Sequence, residues 1–166
     1  MEVTFQITLD DYISASLLSG EMTKRSRYIH YIIDILLIIL GISSLYYGKY
    51  IWAGSFIGAA IGGNLLPYGL RKFFSPWYLR RHYNKYKVMK KPLSISLLTE
   101  GIQFKSESGE GFLKWQEIHH WREGPSMILI YLAPRIYYII PKKILEQGFP
   151  IEELKTHLFT HLGKSI

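Results

Sequence analysis

The chain has 166 residues, a formal net charge of +7, an apolar fraction of 48% and no cysteine. The lack of cysteine excludes disulfides, thiol catalysis and zinc sites with cysteine ligands. Residues 1–91 hold twelve Lys or Arg and five Asp or Glu, whereas residues 92–166 hold eight of each. The C-terminal half therefore has no electrostatic reason to bind phosphates, and nucleic acid is not an expected partner.

The first residues predict a strand and a short helix. Apolar and polar side chains alternate over residues 3–9, which is the period of a half-buried strand. We expect this strand to pair with a sheet formed by the C-terminal half. Asp10 or Asp11 is expected to cap a helix that runs to Leu18. We assign residues 1–27 to this N-terminal segment.

Two apolar stretches of about 20 residues follow, from Tyr28 to Tyr47 and from Ile51 to Leu70. Each is long enough to cross a hydrocarbon core about 30 Å thick as an α-helix. Because three residues separate them, they predict an antiparallel transmembrane hairpin over residues 28–70. The alternative is two buried helices of a soluble protein, but a chain this short has too little other apolar surface to cover them.

The basic residues beside the two stretches predict the orientation of the hairpin. Lys49 alone lies in the connecting turn, whereas the flanks contain Lys24, Arg25 and Arg27 on one side and Arg71, Lys72, Arg80 and Arg81 on the other. By the positive-inside rule, both termini are expected in the cytoplasm. The expected location is therefore the cell membrane, with two spans.

Small residues and one polar pair predict how the two spans pack. The expected helix-packing positions are Gly41, Gly48, Gly54, Gly58 and Gly62. If Gly48 lies level with Ile51, Gly41 meets Gly58 and Asp34 lies beside Asn64. We therefore predict a polar contact between Asp34 and Asn64 inside the hairpin. The glycines serve contacts between protomers equally well, and the sequence does not separate the two uses.

Asp34 also has a functional interpretation. An acidic residue inside a span is a candidate ion or proton site. His30 is the only other titratable group close to it in the span. In a homo-oligomer, several copies of Asp34 would line a common path.

Residues 71–91 form a basic and aromatic connector. Its candidate membrane-surface residues are Arg71, Lys72, Arg80, Arg81, Lys85 and Lys87. Ser75 followed by Pro76 predicts the start of a helix. This helix either lies on an anionic leaflet or continues the second span into the cytoplasm. In both cases a bilayer with anionic lipids is the expected partner of these charges.

Residues 92–166 contain short strands separated by turns, followed by an amphipathic helix that begins near Ile151. The expected strands are Leu93–Leu98, Ile102–Ser106, Phe112–Trp115, Gln116–Trp121, Met127–Ala133 and Ile136–Ile140. The expected fold class is an α+β membrane protein. It combines a two-helix transmembrane hairpin with a small antiparallel-sheet domain that ends in a helix.

On these motifs the chain resembles the YcxB-like family of bacterial membrane proteins. The resemblance rests on a strand followed by DDYI, two close spans, a basic connector, and the segments KWQEIHHW and YYIIPKKIL. Trp115, Ile118 and Trp121 are its most specific positions, and we expect both tryptophans in the core and rim of the sheet. The resemblance implies a cytoplasmic pleckstrin-homology-like domain and no activity. Phosphoinositide recognition is not expected, because the turn at 98–101 is acidic.

No residue set predicts catalysis, a cofactor or a metal site. His157 and His161 have the i, i+4 spacing of two ligands, but no Glu lies between them as in zinc hydrolases. His119 and His120 are neighbours in a predicted strand, so they are expected to point to opposite faces and not to chelate. The chain is therefore not expected to be an enzyme.

Two hypotheses of function follow. The first is a membrane-anchored, non-enzymatic interaction or regulatory module at the cytoplasmic leaflet, which binds an unknown protein partner or forms homo-oligomers through a sheet edge or the groove beside the last helix. One form of it is protection against antimicrobial peptides, by architectural analogy with small bacterial immunity proteins. The second is an oligomeric ion or proton pathway that uses Asp34. A third possibility, a membrane-surface enzyme, has no residue set behind it.

Overall fold

A computed structural model describes residues 2–85 and 91–165, without the side chains of Lys24, Leu66, Arg71 and Lys72. The chain divides into two compact units. We call Glu21–Tyr78 the helical unit, and Met1–Gly20 together with Leu79–Ile166 the sheet unit.

After the first strand, four α-helices come before the remaining strands, and a fifth α-helix follows the last strand. The helices are α1 (Leu9–Ser19), α2 (Lys24–Tyr46), α3 (Tyr50–Gly69), α4 (Ser75–Lys85) and α5 (Ile151–Leu162), with a π-helical turn at Leu70–Phe74 and 3₁₀ turns at Trp115–Glu117 and Lys142–Gln147. The strands are β1 (Glu2–Phe5), β2 (Leu93–Leu98), β3 (Gly101–Ser106), β4 (Gly109–Lys114), β5 (His120–Glu123), β6 (Met127–Ala133) and β7 (Ile136–Pro141).

The sheet unit contains two antiparallel sheets, with the orders β1-β2-β3-β4 and β5-β6-β7. β1 pairs with β2, so that Val3 lies opposite Ile95 and Phe5 opposite Leu93. These two strands are neighbours in the sheet although the whole helical unit separates them in sequence. The sheet unit is thus assembled from segments on both sides of the helical unit, and the fold is α+β, as expected.

The sheet β5-β6-β7 is buried on both faces. Residues 128 and 130 of β6 belong to the main core, together with Trp115, Phe149 and Leu154. Residues 127, 129 and 131 of the same strand belong to a second cluster, which also contains Tyr12 of α1 and Tyr83 of α4. Successive side chains of a strand point to opposite faces, so burial of both faces requires the continuous apolar run of β6.

Helix α1 begins at Leu9, two or three residues earlier than a cap at Asp10 or Asp11 would place it. Thr8 is the N-cap: its hydroxyl accepts from the Asp11 N–H at 3.2 Å, and its own N–H donates to the Asp11 carboxylate at 2.9 Å. This reciprocal pair is a capping box. The prediction that Asp10 or Asp11 caps the helix was therefore wrong, because Asp11 occupies the third helical position.

The predicted strand at 116–121 is largely replaced by a turn. Trp115–Glu117 form a 3₁₀ turn, and β5 begins at His120. The Lys114 N–H donates to the Glu117 carboxylate at 3.3 Å. A side chain that satisfies the backbone locally competes with strand pairing, which explains the interruption.

Helices α2 and α3 pack against each other in the helical unit. Among the described residues, one helix is long and apolar enough to cross a membrane, at Arg25–Tyr46 in α2. Helix α3 has 20 residues and contains several glycines together with Asn64 and Pro67.

Replacing residues 21–78 with a flexible Gly/Ser linker of about 12 residues, which reaches roughly 19 Å, should leave a folded, soluble sheet unit. The reason is that every strand and both core clusters lie outside the replaced segment. Size-exclusion chromatography and dispersed amide NMR signals are the measurements.

Residues 79–166 alone are the matched control for this replacement. They lack Val3 and Phe5 of the main core and Tyr12 and Ala15 of the second cluster, and they should not fold cooperatively. Equal folding of the control, or aggregation of the linked form alone, would contradict the assembly described above.

Candidate functional site

Asp34 and Asn64 meet between α2 and α3. The Asn64 side-chain amide donates to the Asp34 carboxylate at 2.9 Å and to the Ala60 carbonyl at 2.8 Å. The structure thus brings together the two residues that the sequence analysis paired. Because both N–H groups of the Asn64 amide are used, the asparagine is held by its own helix while it holds Asp34.

Of the five glycines, Gly41 lies in the contact between α2 and α3. A Cβ at Gly41 would be 2.7 Å from Ile57 Cγ1 and 3.6 Å from the Ala53 carbonyl oxygen. Ala53 and Ala60 are themselves buried. The face of α3 that meets α2 is therefore formed by residues 53, 57, 60 and 64, at helical spacing.

The other glycines do not serve this contact. Among the described atoms, nothing lies within 4 Å of a Cβ built at Gly54, Gly58 or Gly62. The expected meeting of Gly41 with Gly58 was wrong, because α3 is rotated by about one residue, or 100°, from the assumed alignment. Gly48 has a different role: it lies in the turn with φ of 69°, a conformation that favours glycine.

The expected membrane-surface residues lie in the last part of the helical unit and in the residues directly after it. Arg80, Arg81 and Lys85 lie on α4 with exposed side chains. Arg71 and Lys72 lie in the π-helical turn, and their side chains are outside the described atoms, as is the whole of Lys87.

Ser75 is the first residue of α4, but it does not cap this helix. Its backbone is helical, with φ −58° and ψ −47°, and its N–H bonds to the Leu70 carbonyl five residues earlier. The predicted cap at Ser75 was wrong. Pro76 has no N–H, and the π-helical turn lies directly before it, so the helical backbone continues from α3 into α4.

The most specific residues of the family resemblance lie in the core of the sheet unit. Trp115, Ile118 and Trp121 are buried in the main core. The Trp115 indole N–H donates to the Thr99 carbonyl at 2.9 Å, and that of Trp121 donates to the Gly163 carbonyl at 3.0 Å. Buried and hydrogen-bonded indoles of this kind hold the core together and are not available to enclose a ligand.

Lys142 and Lys143, which follow Pro141, bind two acids far away in sequence. Lys143 pairs with Asp11 of α1, and Lys142 pairs with Glu123 of β5 at 2.7 Å. Lys155 of α5 also lies 3.3 Å from the Glu123 carboxylate. This pair of lysines therefore ties the chain after β7 to α1, and through Glu123 to β5.

The pKa values of both acids reflect these contacts. Burial opposes ionisation of Asp11, but hydrogen bonds from Lys143 and Thr8 outweigh it and lower its pKa. The hydrogen bond from Lys142 is the main cause of the lowered pKa of Glu123, against a smaller effect of burial. Both acids are therefore charged in neutral solution.

Four histidines were weighed as metal ligands in the sequence analysis. In the structure their rings form two pairs of neighbours. His157 and His161 both stack on Trp115, with ring centroids 5.2 and 5.7 Å from the indole. His119 and His120 contact each other, with 3.1 Å between their Nδ1 atoms. The expectation that these neighbours point apart was wrong, because His119 precedes β5 and does not follow the alternation of a strand.

The environment of His120 lowers its pKa. Burial is the largest cause, followed by the neighbouring His119 and Arg122. Its ring also stacks on Tyr131, which lies opposite it on β6, at a centroid distance of 4.1 Å. Within the described residues, no group of three or more His, Asp or Glu side chains is arranged to hold a metal ion.

These features define an α+β protein with a two-sheet unit and a helical unit that contains one membrane-length apolar helix. Residues 97–158 match the family model of YcxB-like protein. This match confirms the resemblance over the segment that contains Trp115, Lys142 and Lys143. No curated protein and no solved structure matches the chain.

Gly41→Val should destabilise the helical unit by about 1–3 kcal/mol, because the new side chain overlaps Ile57. Gly58→Val is the matched control and should leave unfolding of the monomer nearly unchanged. Unfolding in detergent, followed by the helical signal in circular dichroism, measures both. Equal losses in the two variants would show that Gly58 is also packed.

The sheet unit should lose stability in acid. A folded-state pKa below the ordinary values of 3.8 for Asp11 and 4.5 for Glu123 stabilises the fold above those values. That contribution is lost as the pH falls through the lower folded values. Melting temperatures measured from about pH 5 to about pH 2.5 should fall accordingly.

Replacing Lys142 and Lys143 with Met should lower stability at neutral pH by about 0.5–1 kcal/mol each and make the acid loss shallower. Lys105→Met is the control, because Lys105 and Glu110 form a pair with both side chains more than half exposed. An acid profile unchanged by the Lys142 and Lys143 substitutions would contradict the role of these pairs.

Proposed function

We propose that the chain is a membrane-anchored, non-enzymatic interaction module: the helical unit is a two-span anchor and the sheet unit binds a protein partner at the cytoplasmic leaflet. The observation that carries the proposal is the exposed apolar surface of α2 and α3. Ile35 is 58% exposed and Ile51 is 86% exposed. Further exposed apolar side chains on these helices are Ile32, Leu36, Ile39, Ile42, Trp52, Ile61 and Leu65. Such a surface requires an apolar environment.

The proposal of a second span rests on α3 as the partner of α2. A helix of 20 residues spans about 30 Å, which is the thickness of a hydrocarbon core. Glycine and alanine are common in membrane helices because they permit close packing, even though they lower hydropathy. The turn between the helices is short, so α3 must return across any membrane that α2 crosses.

The flanking charges support cytoplasmic termini. Three basic residues lie at 24, 25 and 27, and Arg80 and Arg81 lie on α4, against Lys49 alone in the turn between the helices. Positive charge of this distribution favours the cytoplasmic side. The same side chains would meet anionic headgroups there.

The topology of the sheet unit supports a pleckstrin-homology-like fold. Sheets of four and three antiparallel strands followed by a C-terminal helix are what that resemblance implies. In this assignment the first strand-to-strand connection is residues 6–92, which contains the helical unit, and the turn at 98–101 is the second. The proposed membrane anchor then occupies the first connection.

An open sheet edge is the binding surface that we propose. β4 is the last strand of its sheet, most of its residues are exposed, and Phe112 on it is 42% exposed. The edge of β5 is instead contacted by the segment after α5, since the Glu123 N–H donates to the Ser165 hydroxyl at 2.9 Å. An extended segment of a partner would add to β4 as a further strand.

The alternative function, an oligomeric ion or proton pathway, has one observation in its favour. Gly54, Gly58 and Gly62 are left open by the contact between α2 and α3. These glycines are therefore available to pack against another copy, and Asp34 is half-buried rather than enclosed.

Single cysteines test the anchor, because the chain contains none. Lys49→Cys should react with a membrane-impermeant maleimide on intact cells, whereas Ser108→Cys, in the β3–β4 turn, should react only after lysis. The proposed topology would be wrong if both cysteines reacted on intact cells, or if Ser108→Cys alone reacted there.

Asp34→Asn separates the two functions, because it keeps an acceptor for Asn64 and removes the charge. A tethered module carrying this change should retain protection of cells challenged with antimicrobial peptides. Phe112→Ser should lose that protection, while Phe159→Ser, another exposed aromatic on α5, should not. Loss of protection in Asp34→Asn, together with lost ion flux in liposomes, would favour the pathway instead.

A further inference from the structure

His119 and His120 bring two ring nitrogens close together at the start of β5. Their Nδ1 atoms are 3.1 Å apart, the ring centroids are 5.0 Å apart and the ring planes cross at 85°. We propose that these two histidines form a two-nitrogen chelate for a divalent first-row metal ion that prefers imidazole, with Cu²⁺ bound most tightly.

The separation of the nitrogens fits a shared ion. Two bonds of about 2.0–2.1 Å to one ion would subtend about 98° at the observed Nδ1–Nδ1 distance. This angle lies between the values of square-planar and tetrahedral coordination, both of which imidazole ligands support. The ion would sit outside the pair, on the solvent side of the exposed His119.

The ring centroids give a second and independent measure. If each lone pair points at a common ion, a 3.1 Å nitrogen separation places the centroids about 4.8 Å apart. A linear Nδ1–H···Nδ1 hydrogen bond of the same length would place them about 5.4 Å apart. The observed 5.0 Å lies between these two values and is closer to that of the chelate.

One of the two ligands is held in place before an ion arrives. The His120 ring stacks on Tyr131 at 4.1 Å, with 17° between the planes, and Tyr131 itself is buried. A ligand whose ring is fixed loses less conformational freedom on binding. The remaining coordination positions would be taken by water, because the described residues supply no third acidic or histidine side chain.

The pair on α5 has the familiar ligand spacing but the wrong geometry. The ring planes of His157 and His161 are nearly parallel, at 8°, with centroids 6.3 Å apart. A single ion between them would need a nearly linear angle of about 160° at the same bond lengths. Both rings are also stacked on Trp115. This pair is therefore the matched control for the proposal.

The test is Cu²⁺ titration of the tag-free full chain in nanodiscs, followed by calorimetry and electron paramagnetic resonance. The wild type should bind one Cu²⁺ with nitrogen couplings from two imidazoles, and Zn²⁺ should compete for it more weakly. His119→Gln should weaken binding at least about tenfold and His120→Gln similarly, whereas the double change His157→Gln with His161→Gln should leave it unchanged.

Thermal melts of each variant show whether a loss of metal binding is caused by unfolding. His119 is exposed, so His119→Gln should melt as the wild type does and still lose the ion. No saturable site in the wild type, or equal binding by the wild type and His119→Gln, would overturn the proposal and leave the two rings as a hydrogen-bonded pair. Loss of the ion in the α5 double variant alone would assign the metal to the other pair.

Discussion

The pairing of β1 with β2 is the constraint on which the rest of the sheet unit depends. It places Val3 and Phe5 in the main core, opposite residues that follow them by about 90 positions in sequence. A contact of such sequence separation carries a large loop-closure cost, which the buried apolar surface must offset. Once β1 is paired, α1 follows it onto the outer face of β6, where Ala15 is fully buried.

The segments on which the family resemblance rests all make contacts that stabilise the sheet unit. Asp11 of the DDYI segment both caps its own helix and binds Lys143 of the IPKK segment. Trp115 and Trp121 bury their rings and bond their indole N–H groups to backbone carbonyls. Residues used in this way maintain a fold, which is why we propose partner recognition at the exposed edge of β4 instead. A chelating His119–His120 pair would add a second, chemically separate property to the same sheet unit.

Much of the architecture was predictable because it depends on periodicity and length. Alternation predicted β1, the long apolar run predicted α2, and the leucine stripe predicted α5, since each reflects which face of an element is buried. The approach of Asp34 to Asn64 was also predictable, because a short turn limits how far two antiparallel helices can slide. The rotation of α3 was not, because a change of one residue moves Gly58 out of the contact and brings Ala53 and Ile57 into it.

The sequence by itself determined the α+β class, the apolar helix, the segregation of basic charge and the family resemblance of residues 97–158, because composition and local pattern carry each of them. Within the sheet unit, the tertiary structure alone decided which polar groups meet. Lys143 finds Asp11, Lys142 finds Glu123, and the neighbouring histidines turn toward each other. These contacts join segments that no local pattern links, or depend on where a strand begins, and so they follow from the packing of the whole unit.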